Sequence, residues 1–406
     1  MNTSRPLRAI SLFTGVGGLD FGFEAAGFET AVALEWDRVA CETLRLNRDW
    51  PILEGDIHQF TTDSILATAS LAVGEADVLI GGPPCQPFSK SGYWVAGDAR
   101  RLEDPRASTL HAYLRVLEGT LPKAFALENV HGLAFKGKDE GLRLLLDGVE
   151  AINRRRGTNY VVRWSKLNAA DYGVPQMRER VLLVGSREGI VFQFPQPTHA
   201  SMPGSGQESW RTAWDAIGDL ASGPNERGLE MGGRWADLLP SVPEGENYLW
   251  HTPRGGGLPL FGWRTRYWSF LLKLAKDRPS WTIQAQPGSA IGPFHWSNRR
   301  LSGLELCRLQ TFPDGIVFRC GRANLQKLLG NAVPSLLSEV VARAIRTQLL
   351  GSPARGAPTL LPPCRAGMPP PTNVAAVPVK YRHLVGDHAE HPGEGMGRAA
   401  RARVAA

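Results

Sequence analysis

This 406-residue chain has no long apolar run, no leader-like start and no clustered cysteines. No stretch approaches the roughly 18 consecutive apolar residues of a membrane span, so no integral membrane segment is expected. The opening Met1-Asn2-Thr3-Ser4-Arg5-Pro6 leads into a strand without the apolar core of a signal peptide, and the expected location is cytoplasmic. Five cysteines (Cys41, Cys85, Cys307, Cys320, Cys364) form no CxxC pair or other metal spacing, which argues against a metal site and a disulfide framework. Concentrated positive charge is scarce too. The net charge is +7, and residues 352–406 carry seven Arg/Lys against three Asp/Glu, leaving little excess for the rest. Bulk basicity therefore says little about nucleic acid, because phosphate affinity depends on local clusters. Internal repeats are also lacking.

What is present is alternation. Strand signals at 8–13, 30–35, 76–80, 124–128, 160–167 and 180–185 interleave with helical ones at 18–26, 38–47, 108–117 and 140–154. This order implies an α/β, Rossmann-like domain with a mostly parallel sheet covered on both faces. Residues 1–189 are its first part. From 190 to 298 the alternation stops; this Gly-, Pro- and aromatic-rich stretch holds eight of the twelve tryptophans and reads as a smaller, irregular, partly β module. Ser302-Gly303-Leu304-Glu305 then fits a capping box opening a helix through Leu309, and Pro334 a helix start, so 299–350 closes the first domain. After 351 the Pro, Ala, Gly and Arg composition predicts a disordered tail.

The most informative run is Gly81-Gly82-Pro83-Pro84-Cys85-Gln86-Pro87-Phe88-Ser89, just past the apolar Asp77–Ile80. Two prolines cannot continue a central strand, so the chain leaves the sheet as a rigid turn presenting Cys85 at its edge, where open α/β sheets place their chemistry. Phe13-Thr14-Gly15-Val16-Gly17-Gly18 follows the first strand, and its glycines permit close approach to a ligand. Glu35 ends the next strand, placed for ribose hydroxyls, and Trp36 offers adenine a flat face. Asp56-Ile57 ends a third strand. Asp20 stands where a dinucleotide fingerprint has its third glycine, which favours another adenosine-containing cofactor. Glu128-Asn129 ends a further strand, and Arg178 and Arg180 precede the last. A thiolate, a carboxylic acid and guanidiniums at one edge suit addition of Cys85 to C6 of a cytosine, with Glu128 at N3, so that C5 can attack a sulfonium methyl.

Six ordered motifs over 8–349 make the chain resemble a DNA (cytosine-5)-methyltransferase of the bacterial restriction–modification type. They are Phe13–Gly18, Pro83-Pro84-Cys85-Gln86, Glu128-Asn129-Val130, Gln176–Arg180, Arg300–Asp314, and Gly330-Asn331-Ala332-Val333-Pro334. The resemblance implies Cys85 as nucleophile, Glu128 on the flipped cytosine, and Arg180 holding the base with Arg178 close by. For S-adenosyl-L-methionine it implies Phe13, Gly15, Gly17, Glu35, Trp36, Asp56, Ile57, Pro83, Leu110, Asn331 and Val333. Its partner would be double-stranded DNA, met by a nucleoid-associated monomer, with a possible cognate restriction endonuclease encoded separately. One departure concerns the segment after Cys85, where the family's Asp-x-Arg-Gly is replaced by Asp104-Pro105-Arg106-Ala107.

Residues 190–298 take the place of the family's target-recognition domain. Basic and aromatic residues interleave over Trp263–Trp268, and Arg254 leads a triple-glycine turn. Ser91, Arg254, Arg264 and Arg266 are the candidate DNA contacts, arginine being able to read guanine edges. Thr282-Ile283 resembles a Thr-Leu element of that domain. Three other readings remain on residues alone: the same chemistry on RNA, a nicotinamide-dependent oxidoreductase, and a silent DNA-binding protein.

Overall fold

The structure, a computed structural model, describes residues 5–84, 108–134, 139–220 and 226–391. A seven-stranded sheet forms the centre, built from β1 (Leu7–Leu12), β2 (Phe28–Glu35), β3 (Ile52–Glu54), β4 (Val78–Gly81), β5 (Ala124–Val130), β6 (Val161–Asn168) and β8 (Glu179–Ser186). The spatial order is β3-β2-β1-β4-β5-β8-β6, parallel except for β8, which runs antiparallel to both neighbours. The order reverses between β1 and β4, the switch point at which such sheets bind ligands.

The strands read as nearly continuous apolar runs because each face packs against helices. Ile10, Leu12, Leu79, Phe125 and Leu127 face α3 (Thr62–Ala69), α4 (Ser108–Thr120) and α5 (Glu140–Arg156). Ala9, Val78, Ile80, Ala124 and Ala126 face the other layer, which includes α1 (Gly18–Ala25) and the closing helix. The odd–even alternation follows from the two-residue repeat of a strand. Sequence reading missed α3, capped by Thr61 Oγ1 accepting from Ser64 N at 3.1 Å. It also placed the end of β3 too late, since Asp56 lies past that strand and caps the turn at Ile57–Gln59. α2 (Arg38–Asn47) starts on Asp37, whose carboxylate accepts from Val39 N at 2.9 Å.

Between 190 and 298 regular structure is sparse. β7 (Gln176–Met177) precedes the region and pairs in parallel with Ser280–Trp281. α6 (Ala213–Ile217) opens on a Thr212–Asp215 capping box. The expected Ser302–Glu305 box opens α7 (Gly303–Leu309), with Glu305 Oε2 accepting from Ser302 N at 2.7 Å. α8 (Arg322–Asn331) and α9 (Ser335–Gln348) complete the chain's helices of this part. The stretch 322–348 has the length and mean hydropathy of a membrane span. Its most apolar 18-residue window is mostly buried inside the fold, however, and the stretch is broken at Pro334.

The module has a core of its own, including Leu238, Leu239, Tyr248, Phe261, Phe270 and Phe294. A second cluster joins Ala213, Ile217, Ile283 and Trp296 to Val16, Phe21 and Ala40 of the first domain and to Leu306 and Leu329. α9 packs back against α1: a Cβ on Gly22 would stand 2.3 Å from Ser335 O and one on Gly18 2.4 Å from Val333 O, so both positions need glycine.

The segment after α9 corrects the expectation of disorder for residues 352–391. It crosses the molecule as an extended strap and supplies Val377 and Tyr381 to the module core. Tyr381 stacks on Trp235 at 5.7 Å and donates its hydroxyl to Arg234 O at 2.6 Å. Composition misled because the strap buries few residues and draws its order from backbone hydrogen bonds to carboxylates elsewhere in the chain.

Candidate active site

The strand register brings the chemical residues to one edge. Leu12 pairs with both Leu34 and Gly81, Gly81 with Leu127, and Val130 with Arg180. The chain past β1, β2, β4 and β5 therefore emerges beside the start of β8. Cys85 and Ser91 lie outside the described residues, as does the segment carrying the Asp104–Ala107 departure; the turn that leads to Cys85 is described through Pro84.

Glu128 is buried, and its Oε1 accepts from Arg180 Nε at 2.7 Å. Burial pushes its pKa up, opposed by the guanidiniums of Arg180 and Arg178. A carboxyl balanced in this way can hold a proton, which a hydrogen bond to a ring nitrogen requires. Gly82 permits the closeness: a Cβ there would stand 3.2 Å from Glu128 Oε2. Asn129 Nδ2 donates to Pro83 O at 3.2 Å, tying the turn before Cys85 to β5.

The glycine turn is built for a ligand at the neighbouring position. Phe13 has φ 55°, an uncommon conformation for a non-glycine residue, and Gly15 has φ 57° with open space where a Cβ would lie. Glu35 is buried and its Oε2 accepts from Gly15 N at 2.7 Å, while Oε1 accepts from Trp36 N and Asp37 N at 3.0 and 2.8 Å. Burial raises its pKa, opposed by those three amide donors. Trp36 is 71% exposed, so its indole is a free face rather than core. Asp56 is exposed, Ile57 buried, and Leu110 lies wholly inside the core on the α4 side of the sheet. Asn331 is exposed; Val333 packs against the glycine turn through its carbonyl.

Arg178, expected close by the base-holding Arg180, has a different set of partners. Its side chain is 1% exposed, and its Nη2 donates to Gly330 O and Ala332 O at 2.7 and 2.8 Å, its Nη1 to Ile283 O at 3.2 Å. It braces three chain segments. Gln176 acts beside it, donating Nε2 to Leu309 O at 3.2 Å and accepting Ile283 N at 3.1 Å. Gln310 Nε2 reaches Leu329 O at 2.6 Å. Sequence reading quoted the motifs containing both glutamines without giving them this role; a polar residue repeated inside otherwise apolar motifs was the available signal. Asp20, buried beneath the turn with its pKa raised by burial to about 7, was likewise noticed only as a missing glycine.

Cys41 and Cys307 are buried, and burial pushes both thiols up to about 12, which makes them poor nucleophiles. Among the described residues no His/Cys/Asp/Glu group could hold a metal ion. Arg254 and Arg264 lie on the module surface, Arg254 paired with Glu390. Arg266 is exposed as well, with its guanidinium over the rings of Phe261 and Phe270.

A glycine turn and an acid–indole pair on one side of a switch point, with a buried carboxyl and arginine on the other, define a Rossmann-like, S-adenosylmethionine-dependent methyltransferase. The chain belongs to the C-5 cytosine-specific DNA methylase family, which matches residues 7–347. It is 40% identical to the Type II methyltransferase M.SacI of Streptomyces achromogenes over 88% of this chain and 96% of that protein. It is 32% identical to M.NgoFVII of Neisseria gonorrhoeae over 82% of this chain and 84% of that protein. A putative prophage-encoded DNA modification methyltransferase of E. coli has a similar fold, with TM-score 0.59 and 21% identity over 85% of this chain and all of that structure.

Proposed function

We propose that the protein methylates C5 of a cytosine within a specific short sequence of double-stranded DNA, as the modification enzyme of a restriction–modification system. The reading rests on one observation above others: Glu128, buried and paired with Arg180, sits under the glycine and proline turn that leads into Cys85. The target cytosine is flipped out of the duplex, because its C6 is unreachable inside the stack. The Cys85 thiolate adds to C6, forming a carbon–sulfur bond. Glu128 donates a hydrogen bond to N3 and so takes up the charge pushed into the ring; Arg180 keeps that carboxyl oriented. C5 becomes nucleophilic and gains the methyl group. Loss of the C5 proton to a base then regenerates the double bond and expels the thiolate.

The donor is S-adenosyl-L-methionine, which supplies an electrophilic methyl group on a sulfonium. The residues present fit it: Gly15 leaves room for close approach, the exposed Trp36 face suits adenine, and the Glu35 carboxylate suits ribose hydroxyls. Phe13, Gly17, Asp56, Ile57, Pro83, Leu110, Asn331 and Val333 would complete the pocket. No metal takes part. On this reading the enzyme works in the cytoplasm as a monomer at the nucleoid; the Type II name of M.SacI supports its place in a restriction–modification system.

The deciding experiment offers the enzyme duplex DNA whose target cytosine carries fluorine at C5. That fluorine cannot leave, so a covalent complex should accumulate and peptide mapping should place it at Cys85. Methylation of ordinary DNA without any capture at Cys85 would overturn the mechanism.

A further inference from the structure

Most of the strap is anchored to the body of the fold. Thr359 N and Leu360 N donate to the Glu339 carboxylate at 2.7 and 2.9 Å, Arg365 N to Asp215 at 2.8 Å, and Thr372 N to Glu244 at 2.7 Å. The last described residues differ, because they reach the polar surface of the recognition module. A Cβ on Gly262 would lie 2.2 Å from Ala389 O, so only glycine lets the strap sit there. His391 N donates to Trp263 O at 2.9 Å. Between these two contacts Glu390 grips Arg254, Oε1 accepting from Nε at 3.1 Å and Oε2 from Nη2 at 2.5 Å. The Arg254 guanidinium also lies 5.0 Å from the Trp263 ring centre.

A guanidinium held on one edge by a carboxylate and on one face by an indole has few rotamers left. The side chain is nevertheless 55% exposed. Since Glu390 takes the Nε–Nη2 edge, the fork between Nη1 and Nη2 is the edge that this pairing leaves over, a shape that can span O6 and N7 of guanine. A chain of contacts leads from here towards the active site. Residues 264–268 are exposed, Trp268 meets Trp281 at 5.6 Å, and Trp281 pairs with Met177, three residues before Arg180. An exposed ion pair adds little to folding stability, so aim rather than stability is what this one provides.

We propose that Glu390, delivered by the C-terminal strap, is a specificity-determining positioning residue that aims Arg254 at a guanine of the target duplex. The proposal rests on the reading of the protein as a sequence-specific DNA methyltransferase. Its test uses the full-length enzyme and the target found by sequencing methylated cytosines in an unmethylated host. Each guanine of the site is replaced in turn by 7-deazaguanine, which lacks N7, and kcat/KM for methyl transfer is measured. The wild type should lose roughly tenfold or more at one guanine. Arg254→Ala and Glu390→Gln should each lower activity on unmodified DNA and abolish that particular discrimination, with S-adenosylmethionine affinity and thermal midpoint unchanged. Wild-type discrimination retained by Glu390→Gln would overturn the proposal. So would a gain in DNA affinity on that substitution, which would show the carboxylate masking Arg254. Failure of the wild type to methylate any DNA would instead defeat the functional reading beneath it.

Discussion

At the sheet edge, charged groups are fixed by neighbours close in the fold's regular frame; in the irregular module over 190–298 they are fixed from far along the chain. Glu128 and Arg180 stand on adjacent paired strands, and Glu35 closes on Gly15 at the end of the strand next door. Arg254 is held by a residue 136 positions later, and the module core is completed by Tyr381 of the same strap. A hydrogen-bonded sheet imposes register, so function there demands motifs of fixed order. An irregular module imposes none, and its geometry is set by contacts that leave no period in the sequence.

The sharpest way to break this contrast is Cys85→Ala. Methyl transfer should fall by about 10⁴-fold or more while DNA binding persists, measured by radiolabel transfer alongside a gel-shift assay. Loss of DNA binding in step with activity would show the two regions are not separable. Glu128→Gln should come next, lowering kcat by on the order of 10²- to 10⁴-fold with donor affinity little changed in calorimetry. Weakened donor binding with normal turnover would move Glu128 to the other half of the edge.

Stability variants probe the same division with smaller effects. Arg178→Ala strands three buried carbonyls and should cost about 3 kcal/mol or more in urea unfolding, with donor affinity falling too because residues 330–333 lose their brace. Tyr381→Ala should cost about 3 kcal/mol and weaken DNA binding alone, since this ring belongs to the module core. Donor affinity that fell equally would mean the strap serves both regions. A further effect is pH-dependent. Burial raises the folded pKa of Asp20 to about 7, well above the ordinary carboxylate range, so the neutral form favours the fold. Its contribution is complete below about pH 4 and is lost as pH rises towards 7. Asp20→Asn should flatten the decline in melting temperature over that range; an unchanged slope would place the titration elsewhere.

Much of the first domain was legible because its strands are buried on both faces and the motifs that carry the candidate site residues sit at strand ends, which spacing reveals. The capping boxes and the proline before α9 were equally readable, since their chemistry is local. α3 escaped because its short Thr62–Ala69 run contains only two large apolar residues. The bracing role of Arg178 was not legible beside Arg180: the two stand two residues apart at the start of a strand, and only the structure shows that one guanidinium turns inward to carbonyls while the other meets Glu128. The strap was illegible for a different reason. Proline- and alanine-rich chain carries no periodic apolar face, and its order comes from acceptors such as Glu339 and Glu244 that are remote in sequence.

The clasp of Arg178 on Gly330 and Ala332 also has a consequence for synthesis. The glycine turn is synthesised before the irregular module, yet the segment that seals it follows that module in the chain. A nascent chain halted inside the module would carry the turn without its lock. The sheet edge is thus closed only once Gly330 and Ala332 have been made.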